Sequence, residues 1–308
     1  MKKILIATDK PFASTAKTLI SQVIQDAGYE VIYLEKYASQ TEFIAAVKEI
    51  DALIVRSDIV DAAVFAAASN LKIVVRAGAG YDNIDLDCAT KHHVCVMNTP
   101  GQNANAVGEL VFGLLIYSMR NYFNGSVGKE LKGRTLGIHA FGNVGKCVAR
   151  IARGFGMEVY GYDAFPGKEK EMDSLGVKHV DNVEELYSLC EIVSLHLPAT
   201  ELTKESINAN LLSRMPKDAI LINTARQEII DEKDLQSVMQ SRKDFVFLAD
   251  AKPLIDEQLK TEFPTRYYAT PKKMGAQTEE ANTNAGVAAA IQIVNFFKTG
   301  DEHFRINL

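Results

Sequence analysis

The chain has 308 residues, 47% of them apolar and 24% charged, with a net charge of −5. That length suggests about two domains, and that composition suits an ordinary soluble globular core. The acidic balance argues against broad nucleic-acid binding, and no stretch approaches the roughly 18 apolar residues of a membrane span.

Buried-type β runs alternate with helical spacing along the first third. "KILIAT" (3–8), "EVIYL" (30–34), "ALIV" (52–55) and "KIVV" (72–75) read as strands, separated by helices over "STAKTLISQVIQDAG", "TEFIAAVKEI" and "DAAVFAAASN". The first helix is expected to start after a Ser/Thr cap and to stop near Gly28. "KHHVC" (91–95) reads as a helix end leading into a strand. His92, His93 and Cys95 are too adjacent to face one ion, so no metal site is expected. Cys88, Cys95, Cys147 and Cys190 show no C-x-x-C pairing and read as buried thiols in a reducing cytoplasm. The basic start "MKKILIATDK" carries too short an apolar run for a signal peptide.

After the turn at Pro100-Gly101, residues 103–122 read as one long helix, so apolar that a domain junction or a second subunit must cover it. A second strand series follows with "RTLGIHAFG", "EVYGYD", "EIVSLHLP", "AILINTA" and "FVFLAD". The last helix, from about Gln277 to Lys298, carries an Ala-rich stretch and is expected to return to the first unit. Such alternation predicts an α/β fold with parallel sheets covered on both faces. The expected domains are 1–98 plus 278–308, and 99–277, with an interdomain cleft.

"TLGIHAFGNVGKCVARIARGFGMEVYGYDAF" carries the first chemical signal. A strand enters the turn Ala140-Phe141-Gly142-Asn143-Val144-Gly145, and a helix follows: G-x-G-x-x-G with alanine in the first slot. Gly142 lets the backbone approach a pyrophosphate, and Gly145 lets helix and strand pack closely. The amides of Asn143 and Val144 open the helix toward the phosphates. Alanine at 140 costs little provided that its φ stays negative. Asp163 ends the next strand, 18 residues beyond Gly145, where a carboxylate takes the adenosine ribose hydroxyls and repels a 2′-phosphate. The expected cofactor is therefore NAD.

"VVRAGAGYDNIDLD" (74–87), "NTPGQNANAVGELVFG" (98–113) and "LINTARQEIIDEKDL" (221–235), with the dinucleotide turn, resemble the NAD-dependent D-2-hydroxyacid dehydrogenases over nearly the whole chain. The resemblance implies two Rossmann-like, doubly wound domains, the discontinuous one binding substrate, and a homodimer through the 100–130 segment. It implies that Arg226 grips the substrate carboxylate and polarises the adjacent carbonyl, as a forked guanidinium suits. It places Thr224 and Ala225 beside the nicotinamide and Asp250 at its carboxamide, with His196 and Pro198 along the adenosine side, and counts Gly275 among the cofactor-binding residues. The residue after Arg226 is Gln227 where the family usually has glycine. The Gly78-Ala79-Gly80 turn offers backbone N–H groups to a carboxylate. Arg56 and Arg76 stand at strand ends that face the ligand crevice of a parallel sheet, and suit a phosphate. Local pairing with Asp58 or Asp82 is the alternative. Asn103 assists from the junction.

Most of the family moves the proton with a His–Glu pair. Here Lys272 stands at the histidine position, Lys273 follows it, and "DAKP" replaces the glutamate segment. An unperturbed lysine, with a pKa of about 10.4, must be lowered to act as a base near neutrality. Arg226, Lys252 and Lys273 are the neighbours expected to lower that of Lys272. The expected reaction is oxidation of a phosphorylated 2-hydroxy acid, 3-phospho-D-glycerate. Alternatives are glyoxylate or hydroxypyruvate reduction and a catalytically inactive NAD-binding scaffold.

Overall fold

The computed structural model describes residues 1–307. It divides into two units, Met1–Asn103 with the segment from Thr278 onward, and Ala104–Gln277. In the first, β1 (Lys3–Thr8), β2 (Glu30–Glu35), β3 (Ala52–Val55), β4 (Ile73–Arg76) and β5 (Cys95–Asn98) form a parallel sheet in the order β2-β1-β3-β4-β5. Its helices are α1 (Ser14–Asp26), α2 (Gln40–Ala46), α3 (Ala62–Ala67) and α4 (Leu86–Lys91). The strands β1, β3, β4 and β5 carry near-continuous buried runs because both faces are covered, whereas the edge strand β2 is half-buried along its length. Along β1, Ile4 and Ile6 join a core with Ile20 and Ile24 of α1, whereas Leu5 and Ala7 join one with Phe43 of α2 and Val64 of α3. The first helix departs from expectation. Its N-cap is Ala13, which makes no side-chain cap, and Ser14 is already helical.

In the second unit α5 (Ala104–Met119) leads into β6 (Thr135–His139). α6 (Asn143–Gly154), β7 (Glu158–Tyr162), α7 (Glu169–Ser174), β8 (Lys178–His179), α8 (Val183–Leu189) and β9 (Ile192–Leu195) follow. Then come α9 (Ala209–Leu212), β10 (Ile220–Asn223), α10 (Glu232–Ser241), β11 (Val246–Ala249), α11 (Asp256–Glu262) and β12 (Tyr267–Ala269). The seven-stranded sheet runs β12-β11-β10-β9-β6-β7-β8, all parallel, and reverses direction of growth between β6 and β9. Doubly wound sheets bind ligands at that point. The closing helix α12 (Glu279–Thr299) belongs to the first unit and packs on α1. A side chain at Gly286 would fall 2.5 Å from the Ile20 Cδ1 atom, so the small residues of α12 let it sit close to α1.

The apolar α5 is largely covered within its own unit. Val111, Phe112 and Leu115 pack with Leu136 and Ile138 of β6 and Leu248 of β11. A Cβ on Gly108 would lie 3.2 Å from that of Cys147 on α6. The helix ends at Met119, short of the expected 122, because Asn121, Tyr122 and Phe123 take φ of 49, 55 and 57°. Tyr117 supports that turn, its ring 5.1 Å from that of Tyr122 and 5.0 Å from that of Tyr268.

Candidate active site

β6 ends at His139, and the chain reverses into α6 with Gly142 as the N-cap and no side-chain cap there. The first amides of α6 therefore have no helical acceptor and face whatever lies at the helix N-terminus. A Cβ on Gly145 would fall 2.6 Å from the Ala140 carbonyl oxygen, so only glycine fits. At Gly142 nothing lies within 4 Å of the corresponding point, which leaves room for a pyrophosphate. Asp163, just past β7, braces the turn: its carboxylate accepts from Phe141 N at 2.7 Å and from Phe165 N at 2.9 Å. Ala140 corrects the sequence expectation, because its φ is +77°. The reversal requires a left-handed residue, and an alanine there carries a strain of about 1–2 kcal/mol.

The other side of the switch point is polar and closed. His196 N donates to the His139 carbonyl at 3.0 Å. His139 Nδ1 lies 3.2 Å from the Tyr187 hydroxyl. Burial pushes His139 down to about 4. Burial, then the neighbouring His139, pushes His196 down to about 3. His196 is half-buried as a residue, and its Nε2 is closed off without a partner, as are the Ser194 and Thr224 hydroxyls. Buried polar atoms of this kind normally find partners. Their position at and just past the ends of β9 and β10 fits a ligand rich in donors and acceptors, as a dinucleotide is. Pro198 follows, exposed.

At the end of β10, Asn223 is fully buried and shapes the arginine turn. Its Nδ2 donates to the Arg226 carbonyl at 2.7 Å, and its Oδ1 accepts from Ala225 N at 2.9 Å. The Ala225 carbonyl faces two cations, Arg226 NH1 at 3.1 Å and Lys273 Nζ at 3.2 Å. Gln227 is half-buried and opens a short 3-10 turn, Gln227–Ile229. Asp250, after β11, is 1% exposed and organises the lysine turn. It accepts from Met274 N at 2.7 Å, Gly275 N at 2.8 Å and the Thr270 hydroxyl at 2.7 Å. Lys252 is engaged elsewhere, 3.3 Å from the Asp256 carboxylate. Burial alone would push Asp256 up, but Lys260, Tyr267 and Lys252 hold it below the usual carboxylate range.

In the first unit, Arg56 leaves the end of β3 half-buried, its guanidinium 5.1 Å from the Phe12 ring centre. NH1 donates to the Lys10 carbonyl at 2.8 Å and NH2 to Asn282 Oδ1. Asp58 takes backbone amides of Arg56 and Asp9 and the Tyr37 hydroxyl instead of the guanidinium. Burial lowers the Arg56 pKa, opposed by the charges of Asp58 and Asp9.

Arg76 Nε donates to the Arg56 carbonyl at 2.9 Å. Arg76 NH1 lies 1.5 Å from where a Gly78 Cβ would stand, so the guanidinium occupies the space that glycine leaves. The Gly78 amide turns back to the Arg76 carbonyl at 2.9 Å, which corrects the idea that all three turn amides face a ligand. Asn98 Nδ2 holds the Ala79 carbonyl at 2.6 Å. Asn103 is half-buried, directly before α5. Sequence reasoning missed Asn98, Asn282 and Phe12. Only Asn98, at the carboxyl end of a buried strand, carried a legible signal.

The family model "D-isomer specific 2-hydroxyacid dehydrogenase, NAD binding domain" matches residues 117–265. The chain is 34% identical to the D-3-phosphoglycerate dehydrogenase of Methanocaldococcus jannaschii over 83% of its own length and 51% of that protein. It thus spans about half the length of that relative. It is 36% identical to the hydroxypyruvate reductase of Thermotoga maritima over 84% of its own length and 88% of that protein. Among solved structures, the NAD+-bound 3-phosphoglycerate dehydrogenase of Entamoeba histolytica superposes with a TM-score of 0.87 at 44% identity, covering 100% of this chain and 99% of that one. The chain belongs to the D-isomer-specific 2-hydroxyacid dehydrogenase family and carries that family's NAD-binding domain.

Proposed function

We propose that the protein oxidises 3-phospho-D-glycerate to 3-phosphohydroxypyruvate with NAD. The observation that carries the reading is the Ala225 carbonyl with Arg226 and a lysine of the 272–273 turn both upon it, next to Thr224 with its unpartnered buried hydroxyl. The amides of Asn143, Val144 and Gly145 hold the pyrophosphate, and Asp163 holds the adenosine ribose. The bound nicotinamide supplies the acceptor for the C2 hydride. Arg226 grips the carboxylate and polarises the oxygen on C2, and the lysine amine takes the hydroxyl proton. In the first unit, Ala79 and Gly80 offer amides to the carboxylate. Arg56 is the phosphate ligand. It is a half-buried cation with no carboxylate at salt-bridge distance among the described residues, and the Lys10 carbonyl, Asn282 and Phe12 hold it in place. An incoming dianion offsets that desolvation. Arg76 supports the glycine turn. The domains read as 1–98 plus 278–308 for substrate and 99–277 for NAD. The protein reads as a cytoplasmic homodimer formed through the 100–130 segment, where Phe123 and Val127 are exposed.

A second reading, hydroxypyruvate or glyoxylate reduction, is supported by the Thermotoga maritima relative, of which the chain covers 88%. Following NADH absorbance with 3-phosphohydroxypyruvate, hydroxypyruvate and glyoxylate separates the two. A strong preference for the phosphorylated acid supports the first, and comparable rates support the second. No turnover with bound NADH leaves an NAD-binding scaffold.

A further inference from the structure

We infer that Lys273, and not Lys272, carries the proton; this rests on the dehydrogenase reading above. The lysine turn is pinned on both sides of residue 273. The buried Asp250 carboxylate holds the amides of Met274 at 2.7 Å and Gly275 at 2.8 Å. The Thr270 hydroxyl lies 2.7 Å from Asp250 Oδ1 and 2.8 Å from the Lys272 carbonyl, one proton shared between two acceptors. A Cβ on Gly275 would stand 3.0 Å from Asp250 Oδ2, so the backbone lies tight against the carboxylate. The direction of the residue 273 side chain is thereby set by backbone contacts.

That direction leads to the arginine turn. Lys273 Nζ lies 3.2 Å from the Ala225 carbonyl, and Arg226 NH1 lies 3.1 Å from the same oxygen. The carbonyl aligns an ammonium and a guanidinium side by side, the pair that a 2-hydroxy acid needs at its C2 oxygen and its carboxylate. Lys272 is held by its carbonyl, and among the described residues no contact brings its ammonium to Ala225 or Arg226. In oxidation the 2-hydroxyl proton passes to the neutral Lys273 amine, the C2 hydride passes to NAD, and the C2–O bond becomes a carbonyl. In reduction the Lys273 ammonium returns the proton. The flexible lysine stem lets Nζ exchange the Ala225 oxygen for the substrate oxygen.

The test compares K273A, K273R and K272A in NADH oxidation with 3-phosphohydroxypyruvate, hydroxypyruvate and glyoxylate, with NADH binding followed by its fluorescence. K273A is expected to bind NADH and to lose kcat by roughly a hundredfold to ten-thousandfold, the usual contribution of a general acid or base. Ethylamine added to K273A should restore part of the rate, with a dependence on the concentration of free amine. K273R keeps the charge but cannot deprotonate near neutrality, and should stay inactive. K272A should lose less than about tenfold on the same scale. Turnover by K273A or K273R close to wild type, or the opposite ranking with K272A inactive, overturns the assignment while leaving the dehydrogenase reading intact. A wild-type protein that binds NADH but turns over none of the three acids overturns that reading, and the assignment falls with it.

Discussion

Gly78 is the position where a single methyl group should be most disruptive in the first unit. Its φ is +148°, which L residues rarely adopt. Its absent Cβ leaves the space that Arg76 NH1 fills at 1.5 Å. Arg76 is long and flexible, so the cost of overlap is not the overlap itself but what the guanidinium loses by leaving. That loss includes the bond from Nε to the Arg56 carbonyl, 2.9 Å long. A charge-assisted hydrogen bond contributes about 1.5–3 kcal/mol. The backbone strain of a side chain at this φ adds about 1–3 kcal/mol. G78A should therefore destabilise the protein by about 2.5–6 kcal/mol, and R76A alone by the hydrogen-bond part. In the double variant the guanidinium is already gone, so only the strain is added. Urea unfolding of G78A, R76A and G78A/R76A measures this coupling. The double variant should be no less stable than G78A. If the two costs simply add, the guanidinium is not what Gly78 accommodates, and the reasoning fails.

A140G should stabilise the protein by about 0.5–1 kcal/mol, because the relief of left-handed strain exceeds the entropy cost of glycine; an unchanged or lower urea midpoint would contradict the strained turn. R56A should raise the KM for 3-phosphohydroxypyruvate by roughly tenfold to a hundredfold, with little effect on glyoxylate; equal effects on both would remove the phosphate role. Stability should fall as pH drops from the ordinary histidine range toward about 4, since the unfolded chain then binds a proton that the buried His139 refuses. A shift of that size corresponds to about 3 kcal/mol, and H139Q should make the urea midpoint less steep against pH over that window without flattening it, because His196, held down to about 3, still refuses a proton there. An equally steep profile in H139Q would assign the acid sensitivity to other groups.

The parallel α/β character and the dinucleotide turn were legible because their signals are local. Apolar runs of strand length alternate with helical spacing, and Ala140 to Gly145 with Asp163 lie within one strand–helix–strand unit. Helix ends were less legible. The apolar pattern runs on through Tyr122, but α5 stops where three successive residues take positive φ around the aromatic contacts of Tyr117. The sign of φ at Ala140 was hidden too, since backbone torsion follows from how β6 meets α6.

Side-chain environments were the least legible part. Arg56 depends on Asn282, 226 residues away in the chain, and on the Phe12 ring. Lys272 and Lys273 are equivalent as letters on a turn. Only the packing of Asp250 against Met274 and Gly275, with the Ala225 carbonyl 3.2 Å from one ammonium, distinguishes them. Sequence by itself determined the fold class, the NAD turn and the family, because periodicity and short-range spacing encode them. Tertiary structure decided which cation meets Arg226 and which residues hold Arg56, because those contacts join segments that only the folded sheets bring together.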